Sequence, residues 1–116
     1  WHAIHFLLNG EVYGGDPPLC NAVLGGEPIG EDAGYGPARY LTPEQVADVA
    51  ATLKSISRES LLAKFDAAAL TENSIYPSIW DEGEEALDYI GQYYEETQRF
   101  FADASKHGYA ALTYIN

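Results

Sequence analysis

The chain has 116 residues and a mass of 12.7 kDa, room for one hydrophobic core and not two. Its composition, 47% apolar and 21% charged, is that of a globular protein, and a single cysteine, Cys20, excludes an intrachain disulfide framework and fits a reducing compartment. Eighteen acids against six bases give a net charge of −12, which repels phosphate backbones and anionic lipid, so neither nucleic acid nor membrane is an expected partner.

Trp1, Ile4, His5 and Leu8 fall at i, i+3, i+4 and i+7 and predict an opening helix. Asn9-Gly10 closes it, because glycine takes the left-handed C′ conformation at little cost. These first residues already read as the middle of a helix, so a fragment or processed chain is expected. Gly14-Gly15-Asp16-Pro17-Pro18 is a turn cluster. Leu19 to Leu24 is a short apolar run, and periodicity does not decide between a strand and one helical turn. Gly25 to Pro37 holds five glycines and two prolines in thirteen residues. No regular element is expected there; loops of this length are commonly functional or fold on themselves. Ala38 to Leu41 reads as a short strand.

Thr42-Pro43-Glu44-Gln45 places a hydroxyl at N-cap, a proline at N1 and a glutamine at N3, a capping box. Val46, Val49, Ala50 and Leu53 carry that helix from Pro43 to about Ser55. Ser57 caps a shorter helix bearing Leu61, Leu62 and Phe65, and Asp66 caps a further turn through Leu70. Ile75-Tyr76-Pro77 is extended, since a residue before proline avoids the α region. The longest helix is predicted from about Asp81 to His107 on a stripe of Leu87, Ile90, Tyr94, Thr97, Phe101 and Ala104, widened by Tyr89, Tyr93 and Phe100. Acids in its first turn and Lys106 and His107 in its last complement the helix dipole, and Gly108 follows as C′. Tyr109 to Ile115 reads as a terminal strand. The expected class is α+β over one domain, 1–116. Helices pack on a small mixed or antiparallel sheet, and the long penultimate helix is followed by a C-terminal strand.

Several segments together resemble a known family: Trp1 to Gly10, Ala22 to Gly30, Gly34 to Pro43, Phe65-Asp66, Ile75-Tyr76-Pro77 with Trp80, and Gly108 to Leu112. In order and spacing they are similar to the YfbM-like family of small bacterial proteins, a domain of unknown function. The resemblance covers nearly the whole chain. It implies a cytoplasmic α+β protein and a strand and helix preceding Trp1. It supplies no catalytic residue to carry over.

Candidate chemistry stands beside plainer readings. His2 and His5 are three apart on one helical face, a spacing that can chelate Zn²⁺. No third histidine or cysteine stands at ligand spacing, and Asp16 or Asp32 would have to be recruited. The plainer reading packs His5 against Trp1 and leaves His2 exposed, and no metal or other cofactor is assigned. Cys20 lies in an apolar run and reads as an inert buried thiol. The glycine-rich stretch is neither a phosphate loop nor a dinucleotide fingerprint. Paired acids such as Glu31-Asp32, Glu84-Glu85 and Glu95-Glu96 point apart on a helix and say little about acid–base work. Tyr76, Pro77 and Trp80 form an aromatic turn, read as a core lid before a partner contact. No catalytic residue is assigned.

Two functions stand ahead of a purely structural oligomer subunit, which a mass measurement in solution would reveal. Between Asp81 and Asp103 stand eight acids and one base, Arg99. That asymmetry points to a non-enzymatic interaction module whose Glu84, Glu85, Asp88 and Glu95 dock a basic protein, as an inhibitor or immunity-type protein does. The plainer reading of these acids is a solvated helix face. The alternative is a small-molecule-binding protein or enzyme, with a pocket formed by the glycine-rich loop, His5, Tyr35, Arg39 and Tyr40. There Arg39 would clamp a carboxylate. The plainer reading pairs Arg39 with a structural carboxylate.

Overall fold

Thr42 sets the best-defined boundary in the chain. Its hydroxyl accepts from the Gln45 backbone N–H at 3.2 Å, and the Gln45 side-chain oxygen accepts from the Thr42 N–H at 2.9 Å. Two of the backbone donors left open at a helix start are thereby satisfied, and α2 runs over Pro43–Lys54. The computed structural model describes residues 1–32, 36–75 and 83–115. In chain order, α1 (His2–Asn9) leads to a 3₁₀ turn (Leu19–Ala22), β1 (Glu27–Asp32) and β2 (Pro37–Leu41). After α2 come α3 (Arg58–Leu62), α4 (Ala67–Glu72), α5 (Glu84–Lys106) and β3 (Ala111–Thr113). Ser57 and Asp66 cap α3 and α4 through their side chains, accepting from Ser60 and Ala69. Gly10 closes α1 in the left-handed region at φ 73°, its N–H on the Phe6 carbonyl at 2.7 Å. The apolar run after Pro18 resolves as helical, a single 3₁₀ turn.

The three strands form one antiparallel sheet in the order β1-β2-β3, so the class is α+β, with the long helix followed by a C-terminal strand. The expectation for Gly25 to Pro37 is corrected here, because Glu27–Asp32 pairs with β2. Two features reconcile the strand with its composition. β1 is an edge strand, where Pro28 needs no partner for a missing N–H. Gly30 takes φ 73° at the irregularity between Ile29 and Asp32, a bulge that a side chain would strain. The terminal strand is shorter than the aromatic-rich sequence suggests and covers Ala111–Thr113.

The core lies between α5 and the elements laid across it. Leu41, Val46, Val49, Leu53, Leu61, Leu70, Ile75, Ile90, Tyr94 and Phe101 are buried there, with Ile4, Leu7 and Leu8 of α1. Tyr94 reaches past α5: its hydroxyl donates to the Ile56 carbonyl at 2.7 Å. Gln98 Nε2 donates to the Leu53 and Ile56 carbonyls, each at 2.9 Å. These bonds tie the chain leaving α2 onto α5. The aromatic turn expected at Tyr76-Pro77 with Trp80 falls outside the described residues.

Candidate functional site

A helix repeats its surface every three or four residues, so α5 sorts its acids into rows. Glu84, Asp88, Gly91 and Glu95 form one row at i, i+4, i+7 and i+11. Arg58 of α3 lies across it: its guanidinium bonds Glu95 Oε1 at 2.6 Å and approaches Asp88 Oδ1 at 3.5 Å. Gly91 makes this possible, since a Cβ there would run into the guanidinium. Two of the four acids singled out on this helix, Asp88 and Glu95, are therefore partly neutralised within the chain, and Glu84 continues their row into solvent.

The fourth, Glu85, begins a different row. Glu85, Tyr89, Tyr93, Glu96, Phe100 and Asp103 follow at steps of four, four, three, four and three, and all are exposed. Tyr89, Tyr93 and Phe100 keep 38%, 46% and 50% of their surface in water. These three rings are expected from the sequence to widen the buried stripe, and the structure corrects this by leaving them exposed. The core takes Ala86, Ile90, Tyr94, Phe101 and Ala104 instead. One helix cannot bury both sets, because they lie on flanks roughly a quarter turn apart. The Tyr89 and Tyr93 rings sit 5.0 Å apart, tilted against each other. The result is an exposed ridge on which aromatic rings and carboxylates alternate. The signal for it was present in the sequence as an apolar stripe too wide for one face.

The residues proposed for a loop pocket are distributed differently. Arg39 and Tyr40 are neighbours on β2 and point to opposite faces of the sheet. Tyr40 lies opposite Leu112 on the exposed face, while Arg39 lies beside Thr113. The Arg39 guanidinium donates to the Gly26 carbonyl at 3.5 Å, so among the described residues its partner is a backbone oxygen and not a carboxylate. It lines a cavity of about 20 Å³ with Thr113 of β3 and the two residues that follow it, room for about one water. His5 does not line that cavity, and Tyr35 lies outside the described residues.

His5 is fully buried on α1 and faces Asn9, whose Nδ2 stands 3.4 Å from His5 Nδ1 and donates to the His5 carbonyl at 3.0 Å. His2 is buried too, contrary to the exposed position expected for it. It is His2, not His5, that stacks on Trp1, at 4.8 Å between ring centres, with Tyr13 on its other side at 5.3 Å. Burial lowers the pKa of both imidazoles and outweighs the Gly14 and Val12 backbone groups that favour their charged forms. Among the described residues no three His, Cys, Asp or Glu side chains stand together to hold a metal ion. The Cys20 thiol is half-buried and donates to Asn21 Oδ1 at 3.6 Å. Burial, then the Asp16 carboxylate, pushes its pKa up, the opposite of what an attacking thiol needs. No helix is long and apolar enough to cross a membrane among the described residues.

A family model described as a domain of unknown function (DUF1877) covers residues 1–114. No curated protein and no solved structure matches the chain.

Proposed function

The chain belongs to the family of the domain of unknown function DUF1877, and from that premise we propose that it is a non-enzymatic interaction module of the bacterial cytoplasm. Within that family, the resemblance points to its YfbM-like members. The partner is a basic protein, and the module acts on it as an inhibitor or immunity-type protein does. One observation carries this reading: the exposed ridge of α5, where Tyr89, Tyr93 and Phe100 alternate with Glu85, Glu96 and Asp103. Large aromatics supply the anchoring contacts of protein interfaces. Carboxylates around them match lysine and arginine on a partner, and the ring faces themselves attract cations. The row of Glu84, Asp88 and Glu95 extends the negative field and steers a cationic partner toward the ridge.

The test is quantitative. The chain is used to capture partners from a bacterial lysate, and the captured protein is purified. Its affinity is then measured against salt for the wild type, Glu85→Gln/Glu96→Gln, Tyr93→Ala and the remote control Glu72→Gln. The expected result is a basic partner whose binding weakens with salt. Tyr93→Ala costs about 2 kcal/mol as an anchoring aromatic, the double neutralisation slows association, and the control changes nothing. A partner indifferent to salt and to all three ridge substitutions would defeat the reading.

A further inference from the structure

A second feature lies on the flank of α5 that faces α2. The two helices run antiparallel. Tyr94 and Gln98 bond the Leu53 and Ile56 carbonyls at the C-terminal end of α2, whereas Ser105 and Lys106 share a groove with Ala47, near its start. That groove is open and measures about 600 Å³. Its floor is made of small apolar side chains, Ala47, Ala50, Ala51 and Ala102.

The charges on the groove are the anomaly. The chain has six lysines and arginines against eighteen acids, yet three of the six, Lys54, Arg99 and Lys106, line this one depression. Among the described residues none of the three has an ion pair; the acids nearest in the α5 sequence are taken by Arg58 or turn to the outer ridge. The helix dipole explains a lysine in the last turn of α2 and another in the last turn of α5. It does not explain Arg99, in the interior of α5, nor why all three cations share one groove. Because the helices are antiparallel, their C-terminal cations fall at opposite ends. Lys54 and Arg99 stand at the Gln98 end. Lys106 stands seven residues beyond Arg99, about 10 Å along the axis. Between the two ends the lining is the four alanines and Ser105.

We propose that this groove binds an elongated organic anion, with acidic groups at both ends about 10 Å apart and an aliphatic middle. Its volume falls in the range of small-molecule sites, which are mostly apolar with a few placed polar groups. The acidic ends neutralise cations that otherwise repel one another, and the aliphatic middle covers the alanine floor. Inorganic phosphate satisfies one end only and leaves the floor wet. An acidic helix, about 10 Å across, would stand largely outside a groove of this volume. The site is independent of the docking ridge, which lies on another flank of α5.

Backbone amide NMR on the full chain tests the proposal with four probes: sebacate, octanoate, inorganic phosphate and a glutamate-rich helical peptide. Sebacate is expected to shift the amides of Ala47, Ala50, Ala51 and Ala102 and to bind about tenfold tighter than octanoate, the value of one added charge-assisted contact. Lys106→Gln, a surface change that leaves the amide spectrum folded, brings sebacate down to the octanoate level. Lys64→Gln, outside the groove, has no effect. The proposal is overturned if sebacate does not bind, if octanoate or phosphate equals it, if its shifts fall outside the groove, or if the peptide binds there more tightly.

Discussion

Tyr94 shows how one side chain can hold two elements together. It is fully buried, and its hydroxyl donates a hydrogen bond to the Ile56 carbonyl just past the end of α2. Removing that hydroxyl in Tyr94→Phe leaves Ile56 with the Gln98 amide alone, at a cost of about 1–2 kcal/mol. The same bond makes the protein sensitive to alkali. Burial pushes the Tyr94 pKa from 10.0 up to about 12, against a smaller opposing effect of the Gln98 hydrogen bond. Between those values the unfolded chain gives up the proton and the folded chain keeps it. Stability therefore falls as pH rises through this window, by at most about 1.4 kcal/mol per pH unit. Urea denaturation across pH 10 to 12 should show this decline in the wild type and a shallower one in Tyr94→Phe. Equal slopes would mean that the phenol is not the group responsible. At this scale legibility follows sequence distance. The Thr42–Gln45 capping box spans three residues and is plain in the sequence. The bond from Tyr94 to Ile56 spans 38 residues, and nothing local announces it.

Among the elements, helices follow from their own period, and strands depend on neighbours. α2 and α5 were legible because apolar side chains return every three or four residues and because caps mark their ends. β1 was not, since its glycines and proline become acceptable only beside β2, at an edge and with a bulge. α1 was legible in extent but not in orientation: the buried side of His2 depends on Trp1 and Tyr13, which stack on it from either side. That burial has a consequence in acid. Both imidazoles are held below their ordinary pKa of 6.5. As pH drops below that value the unfolded chain takes up protons that the folded chain refuses, and stability falls. The loss amounts to at most about 1.4 kcal/mol per pH unit for each imidazole. It should appear first in α1 and the loop covering it. Hydrogen exchange, corrected for intrinsic rates, should show α1 amides losing protection below pH 6.5 before those of α5. His5→Gln should weaken the effect. Loss of protection in both helices at the same pH would place the acid-sensitive group elsewhere.

For the whole molecule, composition sets the sign of the field and folding sets its pattern. The net charge of −12 was readable at once, and so was the acid-rich stretch of α5. The convergence of Lys54, Arg99 and Lys106 was not, because it requires two helices far apart in sequence to lie antiparallel. Nor was the position of Arg58, which divides the acids of α5 into a row it partly neutralises and a ridge it leaves alone. Arg58 therefore acts on two properties at once, with opposite signs. Arg58→Gln removes two ion pairs and takes the net charge from −12 to −13. The pairs are partly exposed, with the arginine side chain 32% accessible, so the stability lost should be no more than about 1 kcal/mol. That loss should shrink in salt, which screens charges beyond about 10 Å at 0.1 M. Freed Asp88 and Glu95 deepen the potential beside the ridge, so a basic partner should associate faster at low salt, with the difference vanishing at high salt. Chemical denaturation and stopped-flow association of the same variant read the two effects separately. A variant that loses stability without any gain in association rate would show that the row under Arg58 is structural only, and would confine partner recognition to the aromatic ridge.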